Sequence, residues 1–311
     1  MYILDVKNVS KQYAAHKALD HISLSVPKGS IYGLLGPNGA GKTSLIRIIT
    51  QITQADEGEV FFDGQLLHPN HIKQIGYLPE ERGLYKKMEV GEQLLYFAQL
   101  KGLSRADALL KLKDWVEKFE IKGWWKKKVE ELSKGMQQKI QFIATVLHEP
   151  QLIILDEPFS GFDPINASLI TDEILKLKEN GSSIIFSTHR MESVEQLCDN
   201  IALINQSKKV LDGSVQEIRE QFRTHTYEVE HSSDSISLQH GFELIQTIRT
   251  KHQSYVSLIK VPSTSANNEL LHQLMPQTSI IRFEEKLPDM QQIFISVVNK
   301  SVSENKVAAG Y

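Results

Sequence analysis

The sequence predicts an α/β fold built on a parallel sheet, interrupted by a helical subdomain over about 88–148 and followed by a small α+β domain over 223–311. Three observations predict it. Short apolar runs alternate with helical patterns through the first region: residues 30–35 lead into a glycine-rich turn, 152–155 into Asp156-Glu157, and 183–187 into Thr188-His189. That alternation is the mark of a parallel sheet. Between about 90 and 148, Leu94, Leu95 and Ala98, then Leu109, Leu112, Val116 and Phe119, recur at helical spacing with no strand between them. Of the 18 glycines, 16 precede residue 223 and only Gly241 and Gly310 follow it, so the tight turns stop near residue 222, where a domain boundary is expected.

Taken in order, Met1-Tyr2-Ile3-Leu4-Asp5-Val6 lacks a basic stretch ahead of an apolar core, so it reads as a strand and not as a signal peptide. The strand at 30–35 and its helix follow, then Ile75-Gly76-Tyr77-Leu78 and the helical insertion. Within that insertion Ser133 opens a helix whose Met136, Ile140, Ile143, Ala144 and Leu147 form one apolar stripe. Buried strands are expected at 152–155 and 184–186, an extended run at 201–211, and a short helix near 214–222. The tail reads as strands at 227–230, 242–249 and 255–261, a helix at 266–275, a strand at 279–284 and a helix from Asp289, with the last ten residues frayed. No internal repeat is visible. The longest apolar runs fall far below the ~18 residues of a spanning helix, so any membrane involved belongs to a partner.

Composition excludes several classes. With 41% hydrophobic and 23% charged residues in 311, extensive disorder and coiled-coil arrays are ruled out. Lys plus Arg number 35 against 38 Asp plus Glu, a net charge of -3, which leaves no electrostatic footprint for nucleic acid. The single cysteine, Cys198, allows no intrachain disulfide and fits a reducing compartment, where it is expected to be an inert helix residue.

Two motifs carry chemistry on their own. Gly36-Pro37-Asn38-Gly39-Ala40-Gly41-Lys42-Thr43, with Ser44 next, fits the phosphate-binding loop G-x-x-x-x-G-K-[ST] between an apolar strand and an amphipathic helix. Its glycines let successive N–H groups converge on phosphate oxygens, Lys42 reaches the β- and γ-phosphates, and Thr43 offers a hydroxyl to Mg²⁺. The second motif, Leu152-Ile153-Ile154-Leu155-Asp156-Glu157-Pro158, is a buried strand ending in two carboxylates. Pro158 biases Glu157 toward extended geometry, so the adjacent side chains are expected to face opposite ways, Asp156 toward the metal and Glu157, as general base, toward a water. A P-loop NTPase domain follows from the two together.

With these motifs in place, the chain resembles the nucleotide-binding subunit of an ATP-binding cassette (ABC) transporter. Leu132-Ser133-Lys134-Gly135-Met136 is similar to the family's signature loop Leu-Ser-Gly-Gly-Gln, with Lys134 and Met136 departing from it. The resemblance implies that Ser133 and Gly135 grip a γ-phosphate held by the opposite subunit; Ser133 is also a helix N-cap. Ser133 precedes Asp156 by 23 residues and His189 follows it by 33, intervals that resemble the cassette, and His189 matches the family's switch histidine. Ser160-Gly161-Phe162-Asp163 matches the loop that couples the two sites of the dimer, where Asp163 before Pro164 is equally a good N-cap. Tyr13 lies where the family places an aromatic that stacks on adenine. Ile75-Gly76-Tyr77-Leu78-Pro79-Glu80 matches the family's Q-loop, with Glu80 in place of glutamine as an oxygen ligand, and it continues as Glu81-Arg82-Gly83-Leu84-Tyr85. That run and the Lys-Gly-Met variant resemble an exporter branch that includes sodium-extrusion and drug-resistance ATPases. Trp124-Trp125-Lys126-Lys127-Lys128 reads as a partly packed connector with a solvated lysine face rather than a membrane or nucleic-acid patch.

The resemblance, which covers about residues 2–222, implies an ABC-type ATPase with a mixed sheet that binds ATP with Mg²⁺ through Thr43, Glu80 and Asp156. It implies a homodimer or heterodimer closed head to tail around two nucleotides, and a separately encoded polytopic permease that holds it at the inner, cytoplasmic face of the membrane. No nucleic-acid partner is expected. Alternatives are an importer ATPase with a regulatory tail, a non-transport cassette that clamps nucleic acid or ribosomes, and a small-molecule phosphotransferase.

Overall fold

Alternating apolar and polar residues open the chain as an antiparallel hairpin, β1 (Tyr2–Tyr13) and β2 (His16–Pro27), with Leu4, Val6, Val9, Leu19, Ile22, Leu24 and Val26 turned inward. After β3 (Ile31–Leu35) and α1 (Lys42–Ile49), β4 (Glu57–Phe62) and β5 (Gln65–Leu66) extend that hairpin into a sheet of order β2-β1-β4-β5. The computed structural model describes residues 1–14, 16–81, 83–239, 241–263 and 266–308; Arg82 and 309–311 lie outside them, and of the last ten residues expected to fray, 302–308 are instead helical.

A second sheet joins β3 to β6 (Ile75–Leu78), β7 (Leu152–Asp156), β8 (Ser183–Thr188), β9 (Asn200–Asn205) and β10 (Lys208–Ser214), in the order β10-β9-β3-β8-β7-β6. It is parallel apart from β10, hence mixed. Every residue of β3, β7 and β8 is buried, Ser183, Ser187 and Thr188 of β8 included, as a sheet covered on both faces requires. The run expected as one extended stretch over 201–211 is instead a hairpin: Gln206 and Ser207 adopt positive φ, 48° and 66°, and turn β9 back into β10. Polar residues that tolerate a two-residue turn explain the difference. Between the sheets, Val6, Leu24 and Phe62 meet Tyr32, Leu34 and Ile154, together with Leu45, Ile46 and Ile49 of α1.

The strandless segment holds α2 (Val90–Leu100), α3 (Arg105–Lys118) and α4 (Lys134–Val146), with one-turn helices at Lys122–Trp124 and Val129–Glu131. Phe119 stacks on Phe142 with ring centroids 6.0 Å apart, and Trp115 meets Phe142 edge-on at 6.2 Å. Of the stripe expected on α3, Leu112 is buried whereas Leu109 is exposed, because Ala108 takes the inward position. Trp124 and Trp125 are half-buried and Lys126, Lys127 and Lys128 exposed. α5 (Pro164–Glu179) and α6 (Met191–Leu197) follow β7 and β8; Cys198, just past α6, is buried, which pushes its thiol up to about 12.

Contacts divide the chain into Met1–Val215 and Gln216–Tyr311. The division falls within α7 (Val215–Gln221). The second unit is α+β: β11 (Thr226–His231), β12 (Glu243–Arg249), β13 (Tyr255–Lys260) and β14 (Ile280–Glu285) form an antiparallel sheet of order β12-β13-β11-β14, with α8 (Asn267–Leu274) and α9 (Met290–Ala308). Tyr227, Val229, Ile259, Leu270 and Leu274 form its own core.

Candidate functional site

The loop between β3 and α1 is wedged into place by its glycines. Gly36 has φ 147° and Gly41 φ 116°; a Cβ on Gly36 would come 2.1 Å from the Ile204 carbonyl oxygen, and one on Gly41 2.3 Å from that of Ala18. No other residue fits at either point, so the chain turns between β9 and β2 and leaves Asn38, Gly39 and Thr43 exposed, Pro37 and Ser44 half-buried and Ala40 buried. No side chain caps α1. A helix start whose N–H groups lack a side-chain acceptor is a ready anion site. The buried Lys42 ammonium donates to the carbonyls of Gly36 at 2.7 Å and Pro37 at 3.1 Å. Burial lowers its pKa, against the pull of the Glu157, Asp156 and Glu80 charges.

Those three carboxylates stand at the ends of β6 and β7. Asp156, the last residue of β7, is buried and lies across from Ser187 of β8. Burial raises its pKa most; Glu80 and Glu157 raise it further, while the Ser187 hydroxyl and Lys42 oppose the shift. Glu157 corrects an expectation, since its φ is +50°, left-handed and not extended. The strand stops at Asp156, and Glu157 is fixed by two backbone bonds, its N–H donating to the Ser187 carbonyl at 2.9 Å and its own carbonyl accepting from Ser160 N–H at 3.0 Å. Its carboxylate turns to the end of β8: Oε1 accepts from the His189 N–H at 2.9 Å and lies 2.6 Å from His189 Nδ1, and Oε2 accepts from the Thr188 hydroxyl at 3.3 Å. Two residues 32 apart in the chain thus share one hydrogen-bonded pair.

Among the described residues no three of His, Cys, Asp or Glu converge as a metal cage. Negative charge gathers instead, Glu80 and Glu157 each adding to the burial that raises the Asp156 pKa. Thr43, Asp156 and Glu80 offer oxygen donors only, the kind that suits Mg²⁺, a hard cation that keeps waters and shares itself with phosphates. Glu80 is exposed just past Pro79, within electrostatic reach of Lys42 and Asp156.

The remaining candidates stand elsewhere. Ser133 caps α4, its hydroxyl accepting from Met136 N–H at 3.3 Å. Gly135 faces the chain's own next loop, where a Cβ on it would lie 3.9 Å from the Gly161 carbonyl oxygen and from the Phe162 ring. Among the described residues no hydrogen bond or ion pair joins Ser133 to Lys42, Asp156 or Glu157. Asp163 caps α5, accepting from Asn166 N–H at 2.9 Å and from its side-chain amide at 2.6 Å, which holds the Asp163 carboxyl below the usual range. Tyr13 ends β1 opposite His16, partly exposed, with the Lys11 ammonium 5.5 Å from its ring. Two residues of the site escaped the sequence reading: Gln138 and Gln141, buried on α4 and bonded to the carbonyls of Pro158 and Pro79 at 3.0 and 3.1 Å. Glutamines three apart inside an apolar stripe were the available signal.

The profile of the ABC transporter family matches residues 19–160, and that of the "ATP-binding protein DrrA1-3-like, C-terminal domain" matches 213–298. The chain is 41% identical over 296 residues to the uncharacterized ABC transporter ATP-binding protein YhaQ of Bacillus subtilis (strain 168), covering 95% of this chain and 98% of YhaQ. It is 34% identical over 215 residues to the linearmycin resistance ATP-binding protein LnrL of the same organism, covering 68% and 69%. Among solved structures, an ATP binding subunit of an ABC transporter superposes with a TM-score of 0.67 at 31% identity, covering 71% of this chain and 93% of that one.

Proposed function

The chain belongs to the ABC transporter family as an ATP-binding subunit and is an ATPase, and from that premise we propose that it powers an exporter by closing with a second ATPase subunit around two Mg-ATP. The observation that carries the catalytic part is the Glu157–His189 pair, 2.6 Å apart beside Asp156 and within the field of Lys42. The export direction is supported by the match of 213–298 to a DrrA1-3-like C-terminal domain and by the relative named for linearmycin resistance.

In this reading the N–H groups over 38–43 cradle the phosphates, with Lys42 leaving the Gly36 and Pro37 carbonyls to reach them. Thr43, Asp156 and Glu80 would hold the magnesium ion, which supplies charge neutralisation on the phosphate oxygens. Glu157 accepts a proton from the attacking water, and His189, oriented by that same carboxylate through Nδ1, presents Nε2 toward the γ-phosphate. Ser133 and Gly135 serve the nucleotide of the second subunit, Asp163 links the two sites, and Tyr13 stacks on adenine. A separately encoded permease receives the closure, holding the subunit at the inner face of the membrane. Among the described residues no helix is long and apolar enough to cross a membrane.

A mixed dimer tests the arrangement. Pairing a Ser133→Arg subunit with a Lys42→Ala subunit puts both lesions in one composite site and leaves the other whole, so one ATP per pair should still be held in the closed state. Equal damage to both sites would overturn the head-to-tail dimer, and no acceptor-free phosphate release from the unmodified protein would overturn the reading as a whole.

A further inference from the structure

Helix α4 sends two amides into the interior. Gln138 and Gln141, each 5% exposed, share the helix with buried Ile140, Phe142, Ile143 and Val146. A buried amide is retained only where it finds a partner. Here the partners are the carbonyl of Pro158, 3.0 Å from Gln138 Nε2, and that of Pro79, 3.1 Å from Gln141 Nε2. Each proline adjoins an acid of the site, Pro158 following Glu157 and Pro79 preceding Glu80. A proline has no N–H to give, so its carbonyl is the backbone group by which such a turn is gripped. One turn further on, the Thr145 hydroxyl lies 3.4 Å from the Tyr77 carbonyl, and a Cβ on Gly76 would come 2.4 Å from the Thr145 carbonyl oxygen. α4 and β6 therefore lie backbone to backbone, and the helix is a fixed support for both loops.

Glu157 needs such a support. A non-glycine residue at φ +50° persists only where its surroundings over-determine it. Its own N–H and carbonyl are held by Ser187 and Ser160, and the next residue is held by Gln138. We propose that Gln138 is a positioning residue for Glu157: by gripping the Pro158 carbonyl it fixes the left-handed turn that aims the carboxylate at Thr188 and His189. Gln141 secures the loop bearing Glu80 in the same manner. The inference rests on Glu157 acting as general base and extends that role to a residue which touches no nucleotide.

The test uses the full chain and Gln138→Met, which keeps the length of the side chain and removes the donor. Single-turnover phosphate release, KM for ATP, equilibrium ATP binding and melting temperature are measured in the wild-type and Glu157→Gln backgrounds. Turnover should fall roughly 10- to 10²-fold, the scale of a misplaced catalytic group. KM and ATP binding should change by less than about 2-fold, and Gln138→Met should add nothing to the loss already caused by Glu157→Gln. If the two losses multiply, or if Gln138→Met leaves turnover unchanged, the positioning role is overturned. Near-normal turnover in Glu157→Gln alone would overturn the general-base reading instead. Should Gln138→Met not fold, Gln138→Glu replaces the donor by an acceptor at equal length, and wild-type turnover in that variant at neutral pH would overturn the proposal equally.

Discussion

Glu157→Gln separates binding from chemistry because of what the carboxylate touches. It accepts from the His189 N–H, from the Thr188 hydroxyl and, at 2.6 Å, faces His189 Nδ1. A glutamine keeps one oxygen for the His189 N–H, and the Thr188 hydroxyl rotates to accept from the new amide. Only the charge assistance is lost, about 1 kcal/mol of stability, or roughly 2–4 °C in a unit of this size. The chemical loss is larger, since a general base contributes typically ~10²- to 10⁴-fold, equivalent to about 2.7–5.4 kcal/mol of barrier. ATP affinity should be kept or improved, because Lys42 and the glycines stay in place while one of the three negative charges acting on Lys42 is removed. The assay is phosphate release together with nucleotide binding and sizing in Mg-ATP. Near-normal turnover would refute the general-base role, and lost binding would make Glu157 a ligand or a structural residue.

Three further outcomes follow from particular contacts. Burial, and then the Lys101 ammonium, push His148 from 6.5 down to about 4, so between those values the unfolded chain takes up a proton that the folded one refuses. Stability should therefore fall as pH drops from 6.5 to 4, and His148→Gln should flatten that part of a melting-temperature profile. Gly76→Ala forces a Cβ to within 2.4 Å of the Thr145 carbonyl oxygen, which should destabilise the first unit by about 1–3 kcal/mol in denaturant unfolding. Ending the chain after Val215 keeps the whole first unit and every phosphate-facing residue, so the soluble, folded truncation should still bind ATP in an equilibrium titration.

The elements written in hydrophobic periodicity were legible. β3, β7 and the Ile184-Ile185-Phe186 centre of β8 announce themselves as short apolar runs because a doubly covered parallel strand has no polar face, and the strands read in the tail match β11 through β14 within a residue or two of their bounds. The β9–β10 turn was hidden because it uses Gln206 and Ser207 at positive φ, where glycine or asparagine would have given the signal. Glu157 was misread for a related reason. Pro158 sets a local preference for extended backbone, whereas the Ser187 and Ser160 bonds to Glu157, 30 and 3 residues away, and the Gln138 bond to Pro158, 20 residues away, outweigh it. A one-dimensional reading sees the preference and not the bonds.

The site was legible in the residue types of its loop, acids and histidine, and not in the amides of Gln138 and Gln141 that support them. Loop, acids and histidine converge within one subunit because β3, β6, β7 and β8 end at the same edge of one parallel sheet, where ligands of such folds are expected to lie. Ser133 does not join them. It opens α4, and the same helix is fixed to that edge through Gln138 at the Pro158 carbonyl and Gln141 at the Pro79 carbonyl. Its N-terminal glycine lies beside Gly161 and Phe162 rather than beside Lys42. A helix bonded to both acid-bearing loops has no freedom to swing its start onto its own Lys42 without breaking two buried amide bonds, each expensive to leave unmade. The two amides thus tie the helix that Ser133 opens to the turns that carry Glu157 and Glu80, so a change at the start of α4 is felt first at those two acids.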